Sequence, residues 1–193
     1  MSTDRTSPYP RFELELPPWA LEEVGDPDAA YPDDASRMDL AIRLARRNVR
    51  EKCGGPFGAA VFRRRDGRLV APGMNLVVPS DCSAAHAEVV ALMIAQRRLG
   101  TFDLASVDGG CELVTSVEPC AMCLGAIPWS GVTRVVSGAR DADARAIGFD
   151  EGAKPADWAA SLRERDIEVT TDVLRDESAA VLREYLDGGG PVY

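Results

Sequence analysis

The sequence predicts a three-layer α/β domain, with helices on both faces of a mixed sheet of about five strands. Three observations predict it. A chain of 193 residues with 46% apolar and 27% charged residues has the length and composition of a single domain with its own core. Its apolar residues recur at helical spacing in some stretches and form short blocks between turn residues in others. Those stretches run helix, two strands, then helix and strand in alternation, an order that lays helices on a sheet. No run approaches 18 apolar residues, so a membrane span is not expected. No basic segment followed by an apolar stretch marks a secretory leader, which points to a cytoplasmic protein. The five cysteines then suit reduced thiols and metal better than disulfides.

Residues 1–35 read as an acidic, proline-rich arm. They hold six of the 13 prolines, nine acids and two bases, and so seven of the chain's nine net negative charges. Phe12, Leu14, Leu16, Trp19 and Leu21 are the residues able to strap this arm onto the domain. The folded domain is expected over 36–193. Ser36 followed by Asp39 reads as a helix N-cap, and Leu40, Ala41, Leu44, Ala45 and Val49 recur at helical spacing up to Gly54-Gly55. Ala59 to Arg64 and Arg68 to Ala71 read as a hairpin around Asp66-Gly67. Asn75 to Asp81 is loop-like. A second helix is expected from about Ala85 to Leu99, a buried strand over Cys111 to Thr115, and a third helix from near Cys120 that Pro128 disturbs. Thr133 to Ser137 is a strand, Asp141 to Ala146 a helical turn, Pro155 to Arg165 a helix and Ile167 to Thr170 a strand. The last helix places Leu174, Val181, Leu182 and Tyr185 on one stripe and ends at Gly188.

The chemistry concentrates in His86-Ala87-Glu88 and Pro119-Cys120-Ala121-Met122-Cys123. Cys120 and Cys123, at i and i+3 in the first turn of a helix, put both sulfurs on one side, and the positive helix end lowers thiol pKa. His86, the chain's only histidine, sits at the start of the preceding helix. Where the two helix N-termini converge, one nitrogen and two thiolates make three zinc ligands with an open fourth position for water. Zinc lowers the pKa of that water to about 7. Glu88 is left as the proton carrier rather than a ligand. An alternative stays open: Cys82 with His86, Cys120 and Cys123 would form a closed four-ligand site without catalytic water, which leaves Glu88 without a task. Cys53 and Cys111 read as core or near-core residues.

The H-x-E…P-C-x-x-C pattern is that of zinc-dependent base deaminases, and the sequence resembles the cytidine deaminase superfamily over roughly residues 36–193. Gly54-Gly55-Pro56-Phe57-Gly58-Ala59, Asn75, Thr115-Ser116-Val117-Glu118-Pro119-Cys120 and Gly148-Phe149-Asp150 resemble its bacterial guanine deaminase branch. That resemblance implies a cytidine deaminase-like fold, one zinc per subunit on His86, Cys120 and Cys123, and hydrolytic loss of ammonia from a free base, guanine to xanthine or a related aminated heterocycle such as isoguanine, isocytosine or an s-triazine. It implies Asn75, Phe57, Trp129, the Ala87 amide and the Ser116 carbonyl as substrate contacts, and Asp143 as a catalytic acid at the leaving amino group. It also implies a homodimer that exchanges its C-terminal segment, 174–193, with Tyr193 as a lid over the pocket. The pattern departs at Arg145, where that branch carries a glutamate, and this leaves the choice of base open.

Two other readings share the motif. A tRNA adenosine or nucleoside deaminase needs a basic surface for phosphate, whereas this chain carries a net charge of −9 and only two lysines, Lys52 and Lys154; the charge argues against a nucleic-acid partner. A binding module with structural zinc and no catalysis would tolerate loss of Glu88.

Overall fold

Backbone polarity along the first half of the chain explains where the helices start. The computed structural model describes residues 11–27 and 29–192. Helix α1 (Trp19–Val24) precedes α2 (Asp34–Arg50). The N-cap of α2 is Asp33, not Ser36. The Asp33 carboxylate accepts the Ser36 N–H at 2.8 Å and the Ser36 hydroxyl accepts the Asp33 N–H at 3.3 Å, a reciprocal pair that starts the helix earlier than a serine cap would. Strands β1 (Gly58–Arg63) and β2 (Leu69–Met74) form the expected hairpin. Then come α3 (Ala87–Leu99), β3 (Cys111–Val117), α4 (Ala121–Ser130), β4 (Arg134–Ala139), α5 (Asp141–Ala146), α6 (Trp158–Arg163), β5 (Glu168–Thr170) and α7 (Arg175–Asp187). Pro128 lies within α4 without ending it.

The strand order is β2-β1-β3-β4-β5. The first three strands pair antiparallel and the last three parallel, so the sheet is mixed as expected. Period-2 alternation divides it between two cores. Ala60, Phe62, Val114 and Val136 pack with α2 and α7. Ala59, Val61, Leu113 and Val135 pack with α3, α4 and α6. Parallel strands β3 and β4 leave their C-terminal ends on one edge, where α4 and α5 begin, and sites in α/β sheets form at such ends.

The N-terminal segment is less of an extended arm than its composition suggests. Trp19, Ala20 and Val24 are buried in the α2 core, with Leu14 and Leu16 packed against it, whereas Phe12 and Leu21 are exposed. The Trp19 indole N–H donates to the Cys53 sulfur at 3.5 Å, and Tyr31 meets Phe62 edge-on at 5.2 Å. The segment's acidic, proline-rich composition hides this helix; tertiary burial decides the outcome.

A buried charge network fastens the same segment to the sheet. Glu112 on β3 is 1% exposed and lies between Arg37 and Arg134. Arg134 also grips Asp34 through two hydrogen bonds, at 2.7 and 2.6 Å. That hydrogen-bonded pairing holds the Asp34 carboxyl below the usual carboxylate range. A depressed carboxyl stabilises the fold above its unfolded pKa, about 3.9, and the contribution is lost as pH falls through the lower folded value. Melting temperature should therefore fall as the pH drops below about 4. The acid-induced loss in Asp34→Asn should be correspondingly smaller than in the native chain when melts are compared from pH 6 to pH 3.

Candidate active site

Two helix N-termini meet at the sheet edge, and each presents its cap residue to the other. His86 is the N-cap of α3 and Cys120 the N-cap of α4, both in extended backbone conformation, with Cys123 three residues into the helix. His86 Nδ1 lies 3.4 Å from Cys120 Sγ and 3.7 Å from Cys123 Sγ. All three ligand atoms lie within 4.8 Å of one another, and these three residues form the one such group among those described. A tetrahedral ion with Zn–S near 2.3 Å and Zn–N near 2.05 Å separates its N and S ligands by about 3.6 Å. The residues present therefore fit zinc, and Cys82 does not join them. It packs instead against the α2 core, which removes the closed four-ligand alternative. Burial pushes the Cys111 thiol up to about 11, in keeping with a core position.

The electrostatics favour a metal cation. Cys120 is held down to about 4 by its hydrogen bonds with Cys123 and His86, against the opposing cost of burial. Burial pulls the His86 imidazole down, but the Cys120 sulfur and the Glu88 and Glu151 carboxylates raise it net above its ordinary value. Glu88, 6% exposed in the first turn of α3, is raised first by burial and then by the Cys120 charge.

Around this cluster lies a small cavity of about 30 Å³ lined by Phe57, Asn75, His86, Glu88, Glu118 and Cys120, and by the run Phe149, Asp150, Glu151. Asn75 accepts the Gly55 and Val77 N–H groups on its Oδ1, at 3.4 and 3.3 Å. Phe57 meets Phe149 edge-on at 4.9 Å, and Phe149 stacks on Tyr185 at 5.9 Å. The expected residues His86, Glu88, Cys120, Cys123, Asn75 and Phe57 thus come together.

Others do not. Trp129 is 86% exposed near the end of α4 and does not line this cavity, because the turn of the helix carries it away from the N-terminal ligands. Ala87 and Ser116 are buried beside the site without lining it, and the Ser116 hydroxyl accepts the Gly58 N–H at 3.0 Å. Asp143 lies outside as well. Both its oxygens take hydrogen bonds from Arg175, at 3.1 Å each, and one caps the Arg140 N–H at 2.9 Å. The Arg175 hydrogen bonds hold it below the carboxylate range, which suits an anchored ion pair. Tyr193 lies outside the described residues.

A second buried acid beside Glu88 in the cavity lining is Glu151, which sequence reasoning missed. It is 5% exposed, and burial, the Cys120 charge and Glu88 push it up to about 8. Its backbone carbonyl accepts the Ala121 N–H at 2.9 Å, seating its segment on the first turn of α4. Arg145 braces the same segment from behind. It pairs with Asp141 at 2.7 Å and donates to the Gly152 carbonyl at 2.8 Å. Lys154, paired with Asp141 at 3.0 Å, donates to the Pro119 carbonyl at 2.9 Å. The reversed charge at 145 therefore supports the loop rather than facing the cavity.

Comparison with known proteins agrees with this geometry. Residues 32–139 match the family model of the cytidine and deoxycytidylate deaminase zinc-binding region. The guanine deaminase of Bacillus subtilis is 43% identical over 114 residues, covering 59% of this chain and 69% of that protein. A solved guanine deaminase from Nitrosomonas europaea is 47% identical with a TM-score of 0.86, over 92% of this chain and 97% of that one. A tRNA-specific adenosine deaminase of Aquifex aeolicus is 36% identical over 104 residues, 54% of this chain and 64% of that protein. With its metal-fitting triad and buried Glu88 inside the matched region, the chain belongs to the cytidine and deoxycytidylate deaminase family of zinc-dependent hydrolases.

Proposed function

We propose that the chain hydrolyses free guanine to xanthine and ammonia. The observation that carries this reading is the pair of buried carboxylates, Glu88 and Glu151, lining one cavity with His86 and Cys120 of the metal-fitting triad. A zinc ion held by His86, Cys120 and Cys123 would supply an activated water at neutral pH. Asn75 offers an amide along the base edge, and Phe57 and Phe149 wall the ring. Glu88 takes a proton from the water and passes it to the ring nitrogen next to the amino-bearing carbon. Glu151 protonates the departing amino group and takes back the proton of the newly added hydroxyl as the carbonyl forms, the task the family resemblance assigned to Asp143. Oxygen from water replaces nitrogen at that carbon, and ammonia leaves.

The lining disfavours phosphorylated substrates. It carries Glu88, Glu118, Asp150 and Glu151 and no lysine or arginine, so a nucleotide or tRNA phosphate would meet like charge. Its small volume also calls for a lid that moves. Two contacts support the C-terminal tail in that role: Tyr185 donates to the Pro191 carbonyl at 2.7 Å, and Val192 lies 3.5 Å from where a Cβ on Gly148 would sit. Tyr193 is the proposed lid, over its own or a partner's pocket in an exchanged homodimer. Trp129 and Met122, exposed seven residues apart on α4, form an apolar strip suited to that partner. A cytoplasmic location is part of the proposal; among the described residues no helix is long and apolar enough to cross a membrane.

Ammonia release by the zinc-loaded chain from guanine, isoguanine, isocytosine, cytosine, adenine and ammeline tests this. Fastest release from guanine is expected; silence on guanine with release from another base overturns the substrate while keeping the chemistry. Two variants test the acids. Glu151→Gln should lower kcat about 10²-fold, and Asp143→Asn should stay within about fivefold of the native rate. The reverse order would restore Asp143 to the leaving group. Deleting residues 188–193 should cost activity far more than melting temperature, as loss of a lid does.

A further inference from the structure

The base-facing wall is tied together by a residue that does not touch the cavity. Asn48 lies near the C-terminus of α2 and is fully buried. Its Nδ2 donates to the Gly55 carbonyl at 3.0 Å and to the Asn75 carbonyl at 2.8 Å. Its own carbonyl accepts the Cys53 N–H at 3.0 Å, which closes the helix and launches the loop that follows. The same two segments are cross-linked further on. Gly55 N–H donates to Asn75 Oδ1 at 3.4 Å and Asn75 N–H to the Phe57 carbonyl at 3.0 Å, while within the first segment Phe57 N–H donates to the Gly55 carbonyl at 2.9 Å.

The packing at this hub leaves no slack. A Cβ on Gly54 would stand 2.0 Å from the Asn75 carbonyl oxygen and 2.9 Å from Asn48 Nδ2, so glycine is required for the two segments to approach. The amide of Asn48 can be oriented in one way only, because flipping it would set Oδ1 against two carbonyl oxygens. Its Oδ1 is buried with no hydrogen-bond partner among the described residues. A buried orphan acceptor destabilises a fold, so stability alone is a poor reason for an asparagine here. Its two donated hydrogen bonds go to the two segments that carry Phe57 and Asn75.

We propose that Asn48 is a positioning residue that sets the distance between Phe57 and Asn75, and so the width of the slot that receives the base. This rests on the reading that Phe57 and Asn75 hold the base. It separates two functions physically. The metal triad and Glu88 belong to the N-termini of α3 and α4, which Asn48 does not hold. Loss of its two donors should loosen binding and spare the chemical step.

The test uses the full-length, zinc-loaded chain with Asn48→Ala and Asn48→Ser. Two measurements are made: steady-state kinetics on guanine, and backbone amide exchange. Asn48→Ala should raise KM about 30-fold with kcat within about threefold, and zinc should remain stoichiometric. Asn48→Ser keeps one donor and should recover part of the loss. Amide exchange should quicken in residues 53–58 and 75–77 and stay unchanged in 86–99. Native KM with native exchange in a folded variant overturns the proposal, as does a fall in kcat at constant KM or loss of zinc. Should the alanine variant not fold, the serine variant decides by the same criteria. A native chain silent on guanine would refute the substrate reading instead, and the exchange pattern would still decide whether Asn48 holds the two segments.

Discussion

Glu88→Gln is expected to lower kcat for ammonia release by at least about 10³-fold while zinc stays bound. The substitution keeps the size and shape of the side chain and removes only its ability to accept and return a proton. Glu88 is 6% exposed at the start of α3, so water cannot substitute for it from bulk. The group is placed for transfer: it shares a cavity with His86 and Cys120. Metal content should not change, since His86, Cys120 and Cys123 form the ligand group without it. The measurement is ammonia release alongside zinc stoichiometry and melting temperature. Native turnover in a zinc-replete Gln variant would take Glu88 out of the proton path and revive the structural-zinc reading.

How much of this could be read from residues alone depends on whether the signal is local. The metal triad was legible because H-x-E and C-x-x-C are short and each lies at one helix start, where capping geometry and the helix dipole act on adjacent residues. The five strands were legible because each is an apolar block between turn residues, and the alternation of Ala59, Ala60, Val61 and Phe62 between two cores is a period-2 pattern. Glu151 was not legible. It is one acid among several in a loop without periodicity, and its burial comes from seating against the first turn of α4, a contact thirty residues away in sequence. Asp143 looked equally suitable in sequence, and what distinguishes it is the grip of Arg175. The α1 helix was hidden for a related reason. Proline and acid dominate the segment's composition, yet Trp19 is buried against α2 and Arg47 lies 5.4 Å over its ring. Capping at Asp33 rather than Ser36 comes from the backbone: Asp33 is extended and its carboxylate accepts the Ser36 N–H, so the helix starts three residues before the Ser36-Asp39 pair suggested.

Cys120→Ala and Cys123→Ala should each lose zinc, to below about 0.1 ion per chain after dialysis, and lose ammonia release with it. Three ligands hold a catalytic zinc, and removing one leaves a two-coordinate site whose binding free energy, about 10–16 kcal/mol for full structural sites, is cut by more than the dialysis margin. The two variants should differ in stability. Cys123 is fully buried and Cys120 half-buried, so Cys123→Ala also opens a small void and should melt lower. Cys82→Ala is the decisive companion. Cys82 packs against the α2 core and stands outside the ligand group, so that variant should keep full zinc and activity, with at most a modest drop in melting temperature. Zinc loss in Cys82→Ala as complete as in Cys120→Ala would mean a fourth protein ligand closes the site in solution. An ion with four protein ligands has no place for the attacking water, so the same result would remove the proposed deamination along with the three-ligand assignment.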